Sequence, residues 1–172
     1  GAISENDAAN SFSWDVSGLP NGVGFYVYAR INDGANPPIT VRSPGRLYRA
    51  AFHHFQIVHD GSGITGVNEP ITIRAIADDG ALFDSYVGDV ILTAGAQNPA
   101  TIEWTLDAGA GVFTTSPAQP NVATYQFAGT DRGEVRLLLR DSAIETVSLS
   151  AVGGGKSDDG THGPLVFGPP LE

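Results

Sequence analysis

The chain has no cysteine and no methionine in 172 residues. Without cysteine there are no disulfides, no zinc-thiolate sites, no iron–sulfur clusters and no thiol nucleophile. Lysine occurs once, at Lys156, against eight arginines. Acidic residues outnumber basic ones 19 to 9, a net charge of −10. That balance argues against a nucleic-acid partner, which would need a basic surface. Charged residues make up only 16% of the chain, below the roughly 25% of an average domain. No apolar run approaches the ~20 residues of a membrane-spanning helix. No segment repeats apolar residues at the 3.6 spacing of an amphipathic helix. No N-x-S/T sequon occurs, since Asn10-Ser11-Phe12 fails the pattern. Gly1 stands where an initiating methionine would. With the acidic, lysine-poor, Ser/Thr/Gly-rich composition, this leads us to expect an exported protein at the cell surface or outside it, after removal of a signal or pro-segment.

What is present is a period of two. Phe25, Val27, Ala29 and Ile31 alternate with Tyr26, Tyr28 and Arg30. The same alternation runs through Ile71–Ala77, Ile102–Leu106, Ala123–Phe127, Val135–Arg140 and Thr146–Ala151. Each such run predicts a strand with one face in a core. Further strands are expected over Ser11–Ser17, Ile39–Ser43, Ala50–His59, Val87–Thr93 and Gly111–Thr115. Turn signals separate them: Pro20-Asn21-Gly22, Asn32-Asp33-Gly34, Asp60-Gly61-Ser62-Gly63, Asp78-Asp79-Gly80, Asp107-Ala108-Gly109 and Asp131-Arg132-Gly133. Many short strands at this spacing predict an all-β sandwich or barrel.

The expected organisation has three parts. Residues 48–152 hold about eight strands, enough for an antiparallel two-layer sandwich. Residues 1–47 hold three, which form a sheet but no closed core, so their apolar face needs a cover from the main domain or from another copy. Residues 153–172 open on Gly-Gly-Gly-Lys and read as a glycine-rich linker, with Leu165-Val166-Phe167 as a possible last strand, own or donated.

Two stretches carry a resemblance. The first is Phe55-Gln56-Ile57-Val58-His59-Asp60-Gly61-Ser62-Gly63-Ile64-Thr65, followed by Glu69-Pro70-Ile71-Thr72-Ile73-Arg74-Ala75. It resembles modules of large bacterial surface proteins of the mannose-sensitive haemagglutinin pilus-biogenesis type. Those modules usually place a cysteine after the threonine; Gly66 stands there in this chain. From Ile71 to Val152 the pattern is similar to bacterial Ig-like, filamin-like repeats, through Asp79-Gly80, Tyr86–Leu92, Trp104, Ala123–Phe127, Asp131–Leu139 and Thr146–Ala151. The second stretch, Trp14–Gly22 with Phe25–Ile31, Asp33-Gly34, Asn36-Pro37-Pro38 and Ser43-Pro44-Gly45, resembles the final strands of a fibronectin-type or Ig-like repeat. The implied fold is an Ig-like antiparallel β-sandwich preceded by a three-stranded partial Ig/fibronectin-like segment.

Catalytic constellations are sparse. There is no G-x-S-x-G elbow, and Gly153-Gly154-Gly155-Lys156 lacks the spacing of a phosphate loop. Glu103 and Asp107 are available as a carboxylate pair, but on an ordinary strand end. We therefore expect no enzyme. His53, His54 and His59 lie within seven residues. On a regular strand His53 and His59 share the face of Phe55 and Ile57, yet stand ~20 Å apart at ~3.3 Å per residue, too far to share a metal. His53 with His162 is left open, and structural or interface histidines are the expectation. Asp78, Asp79, Asp158 and Asp159 are weak Ca²⁺ candidates in Asp-Asp-Gly turns, where the ordinary role is to close Asx turns. Otherwise no cofactor is expected. Tyr26 and Tyr28 are candidates for stacking a glycan, although such aromatics are more often core or interface anchors.

The functional expectation is a structural subunit with a role in adhesion, homo-oligomeric or filamentous, completed by strand addition from a neighbour. Its strand-exchange candidates are Phe12, Trp14, Val16, Phe25, Val27, Ile31, Leu165, Val166 and Phe167. The alternative is a monomeric adhesion or carbohydrate-binding module cut from a large surface protein. An enzyme accessory domain is a third reading.

Overall fold

A computed structural model describes residues 15–170 apart from Ser17, Asn21 and Asp33. Phe12, Trp14 and most of the strand expected over Ser11–Ser17 lie outside the described residues. The chain divides into two compact units, Gly1–Ala50 and Ala51–Glu172.

Among its described residues the first unit has four short strands, where two of the three expected strands fall. They are β1 (Val23–Phe25), β2 (Tyr28–Ile31), β3 (Ile39–Arg42) and β4 (Leu47–Arg49). They form two separate antiparallel ribbons, β1–β4 and β2–β3. The alternating run Phe25–Ile31 is thus two strands, broken at Tyr26-Val27. There the Val27 amide donates to the Ser43 hydroxyl and the Val27 carbonyl accepts from the Ser43 amide at 2.8 Å. No described residue of this unit is buried.

The second unit contains β5 (Phe52–Val58), β6 (Ser62–Ile64), β7 (Asn68–Ala77), β8 (Gly88–Gly95), β9 (Ile102–Ala108), β10 (Val112–Ser116), β11 (Gln119–Phe127), β12 (Glu134–Asp141), β13 (Thr146–Gly153), β14 (Lys156–Ser157) and β15 (Leu165–Gly168). Two sheets face each other. One is antiparallel in the order β5-β7-β12-β9; the other runs β10-β11-β8-β13-β15-β6, with β14 paired to β13. The first strand of the sandwich changes sheets. β5 pairs with β7, the chain kinks at His59-Asp60-Gly61, and β6 then runs parallel to β15.

The alternation read from the sequence becomes the two inner faces. Ile71, Ile73 and Ala75 of β7, Val135, Leu137 and Leu139 of β12, Val90, Leu92 and Ala94 of β8, and Val147, Leu149 and Ala151 of β13 are all buried. A file of aromatics crosses between the layers. Phe52 meets Tyr86 at 4.5 Å between centroids, Tyr86 meets Phe127 edge-on at 5.3 Å, and Phe127 meets Tyr125 edge-on at 5.1 Å. Edge-to-face pairs add about 0.5–1.5 kcal/mol each beyond their buried area. The Tyr125 hydroxyl donates to Asp131 at 2.9 Å and accepts from the Gly111 amide at 2.7 Å. Burial first, then the neighbouring Asp131 carboxylate, outweighs that amide and pushes the phenol up to about 12, so it stays a neutral hinge pin between β11 and the turn before β12.

The tail is not a linker. Gly154 and Gly155, with φ of +57° and +73°, form the two-residue turn that folds β14 back onto β13, a turn that requires positive φ at both positions. Beyond it β15 inserts between β13 and β6, with Leu165 and Phe167 at 0% and 1% exposure. Of the two alternatives open for Leu165-Val166-Phe167, an own last strand or a donated one, this is the chain's own strand, which corrects their place among the strand-exchange candidates. Their pockets are filled within the chain.

His53 also departs from the expected face. A β-bulge between Phe52 and His54 inserts an extra residue into β5. It puts His53 out to solvent while Phe55 and Ile57 face the core.

Candidate functional site

Three features carry the possible chemistry: the ribbon β2–β3, the outward face of the first sheet, and a cluster of histidines at the β5–β6 kink.

In the ribbon, Ile31 stands opposite Ile39 and Ala29 opposite Val41, while Tyr28 pairs with Arg42 and Arg30 with Thr40. Directly opposed residues share a face. One face is therefore wholly apolar (Ala29, Ile31, Ile39, Val41) and the other carries Tyr28 and two arginines. The apolar face is open: Ile31 is 61% exposed and Ile39 63%. Among the described residues neither outer edge of the ribbon is paired, and a lone two-stranded ribbon is marginal in water. Of the other candidates in this unit, Val16 and Val27 are exposed and Phe25 is half-buried, on β1 opposite Leu47. The strand over Ile39–Ser43 was expected, but Ile39 and Val41 were missed as interface residues, because only the register with β2 puts them on the face of Ala29 and Ile31. Of the two stacking candidates, Tyr28 is exposed, whereas Tyr26 already carries the Arg42 guanidinium 4.4 Å above its ring. That cation–π contact occupies one of the faces a sugar would use.

On the first sheet, Glu103 pairs with Arg140 at 3.3 Å, Asp107 with Arg136, and Glu134 with Arg74 at 2.6 Å. The two carboxylates weighed as a catalytic pair are thus each tied to an arginine of β12 on an exposed face. Such surface pairs are worth about 0–1 kcal/mol each. They mark this face as a solvent side.

All four histidines lie on β5, at the kink after it or in the loop before β15. The His162 ring packs against His59, with centroids 5.6 Å apart. His53 instead meets His54, Nδ1 to Nδ1 at 2.8 Å. The His162 ring has an acceptor at each nitrogen: the Gly163 carbonyl at 2.7 Å from Nδ1 and Asp158 at 3.3 Å from Nε2. His54 lies 3.5 Å from Asp159. His59 Nδ1 accepts from the Gly61 amide at 3.0 Å, and its Nε2 is buried without a well-formed hydrogen bond. Burial, and then the nearby His162, hold His59 below the usual histidine range; the Gly163 carbonyl and Asp60 oppose this more weakly.

The calcium candidates spend their oxygens on backbone. Asp78 accepts from the Ala51 amide, Asp79 from Ala81, and Asp158 from Ala151 and Gly160. Asp159 accepts from the Thr161 amide and hydroxyl. Burial raises the Asp159 carboxyl, but the two Thr161 bonds and the histidines outweigh it, leaving it below the usual range. Among the described residues no three His, Asp or Glu side chains are grouped to hold a metal ion. The pairing of His59 with His162 was missed in the sequence, where 103 positions separate them. Its one trace is the H-x-G-x-G pattern at the kink.

No protein-family model matches the sequence, and no curated protein matches it. Solved structures do. Domains 4 and 5 of the S-layer protein SbsC superpose with a TM-score of 0.52 at 10% identity, over 84% of this chain and 58% of that one. A longer SbsC structure, domains 1–6, gives 0.51 at 12% identity over 87% of this chain and 17% of that one. The chain carries an Ig-like β-sandwich. The filamin domain of Lin-41 gives a TM-score of 0.43 at 14% identity, over 67% of this chain and 93% of that one. The chain spans a little over half of the SbsC domain pair and a sixth of the six-domain structure. At these identities the likeness is one of fold. No helix among the described residues is long and apolar enough to cross a membrane.

Proposed function

We propose that this chain is a non-catalytic structural module of a bacterial cell-surface protein that self-associates through its first unit, in a filament, pilus or surface array with a role in adhesion. The observation that carries the reading is the apolar face of the ribbon β2–β3. Ala29, Ile31, Ile39 and Val41 lie side by side on it, exposed, on a pair of strands whose outer edges are unpaired among the described residues. An open edge with an apolar face is a template for another chain. The occupant we assign is a second copy of this chain, which offers the same ribbon and the same edge. Repeated head to tail, such a contact gives an open array; as a self-complementary contact it gives a dimer.

The sandwich supports the structural role. Its core is one continuous buried cluster, its first sheet presents arginine–carboxylate pairs to solvent, and the four aspartates weighed for calcium accept from backbone amides, so the reading invokes no cofactor. The fold shared with the SbsC domains, and the resemblance of Phe55–Ala75 to modules of the haemagglutinin pilus-biogenesis type, favour a surface setting.

The test is the full chain carrying Ile31→Asp and Ile39→Asp. Both side chains are exposed, so the sandwich should keep its unfolding midpoint. Sedimentation velocity is expected to show the unmodified chain as an oligomer and the double variant as a 17.9 kDa monomer. Equal sedimentation of the two would rule out the ribbon as the contact.

A further inference from the structure

We propose that His59 and His162 form an acid-sensitive clasp that holds the β6–β15 edge of the sandwich in place near neutral pH and releases it on acidification. His59 Nδ1 accepts the Gly61 amide at 3.0 Å, so Nδ1 is the unprotonated nitrogen and the single ring proton sits on Nε2. That Nε2 is buried without a well-formed hydrogen bond, and the Gly163 carbonyl near the ring favours the charged form only weakly. A second proton has to go on Nδ1, where it meets the Gly61 N–H head-on. Charging His59 therefore breaks the bond that closes the kink and leaves a cation in a half-buried place.

The neighbours sharpen this. From the loop before β15, the His162 ring stacks edge-on against His59 at 5.6 Å. Its two nitrogens face the Gly163 carbonyl at 2.7 Å and the Asp158 carboxylate at 3.3 Å, which fix the ring against His59. The His162 and Asp158 side chains are only 7% and 10% exposed. From the kink itself Asp60 lies beside His59, and Glu69 of β7 stands against Asp60. Burial and then Asp60 raise the Glu69 carboxyl, whereas the Ser62 amide holds Asp60 low. On the β5 side, His54 pairs with Asp159.

The kink is tied directly to the last strand. The Gly61 carbonyl accepts the Val166 amide at 3.1 Å, and the Gly168 carbonyl accepts the Thr65 amide and hydroxyl at 2.8 and 2.9 Å. A ring proton on His59 thus acts on the segment that holds Leu165 and Phe167 in the core.

The sign follows from linkage. His59 is depressed in the folded state relative to 6.5, so the opened state binds the extra proton more tightly. The stability it contributes is complete above about pH 6.5 and is lost as pH falls toward its lower folded value. Glu69 works in the opposite direction, since its raised carboxyl takes up a proton more readily when folded. Its window runs upward from 4.5, and any effect it has between pH 7.5 and 5.5 is a gain of protection, opposite in sign to the loss expected from His59.

The test is amide hydrogen exchange on the full chain at pH 7.5 and 5.5, corrected for the intrinsic pH dependence. Protection at Ser62–Thr65 and Val166–Gly168 is expected to fall at pH 5.5, by at most about tenfold, with the central amides of β7 and β12 unchanged. His59→Asn keeps an acceptor for the Gly61 amide but no titrating ring, and it should flatten the dependence. The His59 ring, followed by NMR in the unmodified chain, should titrate below 6.5. Unchanged protection in the unmodified chain, a ring titrating above 6.5, or the same loss in His59→Asn would each overturn the clasp. None of these results depends on the oligomeric state.

Discussion

Phe167→Ala is expected to cost about 3–5 kcal/mol, read as a lowered urea midpoint of the full chain. The ring is 1% exposed and belongs to the buried cluster of the sandwich. It lies against Gly63 of β6: a Cβ built there would come within 2.6 Å of it. Truncation removes the transfer energy of the ring and leaves a cavity between β15 and β6, in a layer whose backbone is pinned on both sides by ladder bonds. Val166 is the internal control. It is the intervening residue on the same strand, 48% exposed, and Val166→Ala should stay within about 0.5 kcal/mol of the parent. If Phe167→Ala costs under about 1 kcal/mol, β15 does not close the core as described.

Gly133→Ala is the second large effect, about 2–5 kcal/mol, from two costs that act together. Its φ is +77°, where an L side chain costs roughly 1–2 kcal/mol. Its Cβ would also stand 2.4 Å from the Phe83 carbonyl oxygen, a backbone atom that cannot swing aside, and overpacking of this kind costs about 1–3 kcal/mol. The position matters because the Gly133 carbonyl accepts the Ala75 amide at 2.8 Å, joining the start of β12 to β7. Gly80→Ala separates the two costs. It has φ of +84° with open space around the added carbon, so it should lose only the conformational part. Equal losses at the two positions would remove the steric component.

Much of the fold is legible because burial on one face of a strand writes a period of two into the sequence. β7, β8, β11, β12 and β13 are long enough for that signal, and Asp-Gly or Asp-Arg-Gly turns punctuate them. β6 and β14 have three and two residues, too few for any period. The run Gly153-Gly154-Gly155-Lys156 misleads for a physical reason: the composition of a flexible linker and that of a two-residue hairpin are the same, and only the pairing of Gly153 with Lys156 tells them apart. The face of His53 was misassigned because a bulge adds one residue to β5, and alternation cannot count across it. The histidine cluster was hidden by distance along the chain, since His162 reaches His59 only once β14 and β15 have folded back. The apolar ribbon was half visible. Ala29 and Ile31 carried the alternation, while Ile39 and Val41 became meaningful only in register with them.

The central claim is that the exposed apolar face of β2–β3 is completed by another copy of the chain. Light-scattering mass of the unmodified protein across a hundredfold range of concentration tests it most directly. The account predicts a mass that rises with concentration to a multiple of 17.9 kDa. A constant 17.9 kDa across the whole range would contradict it.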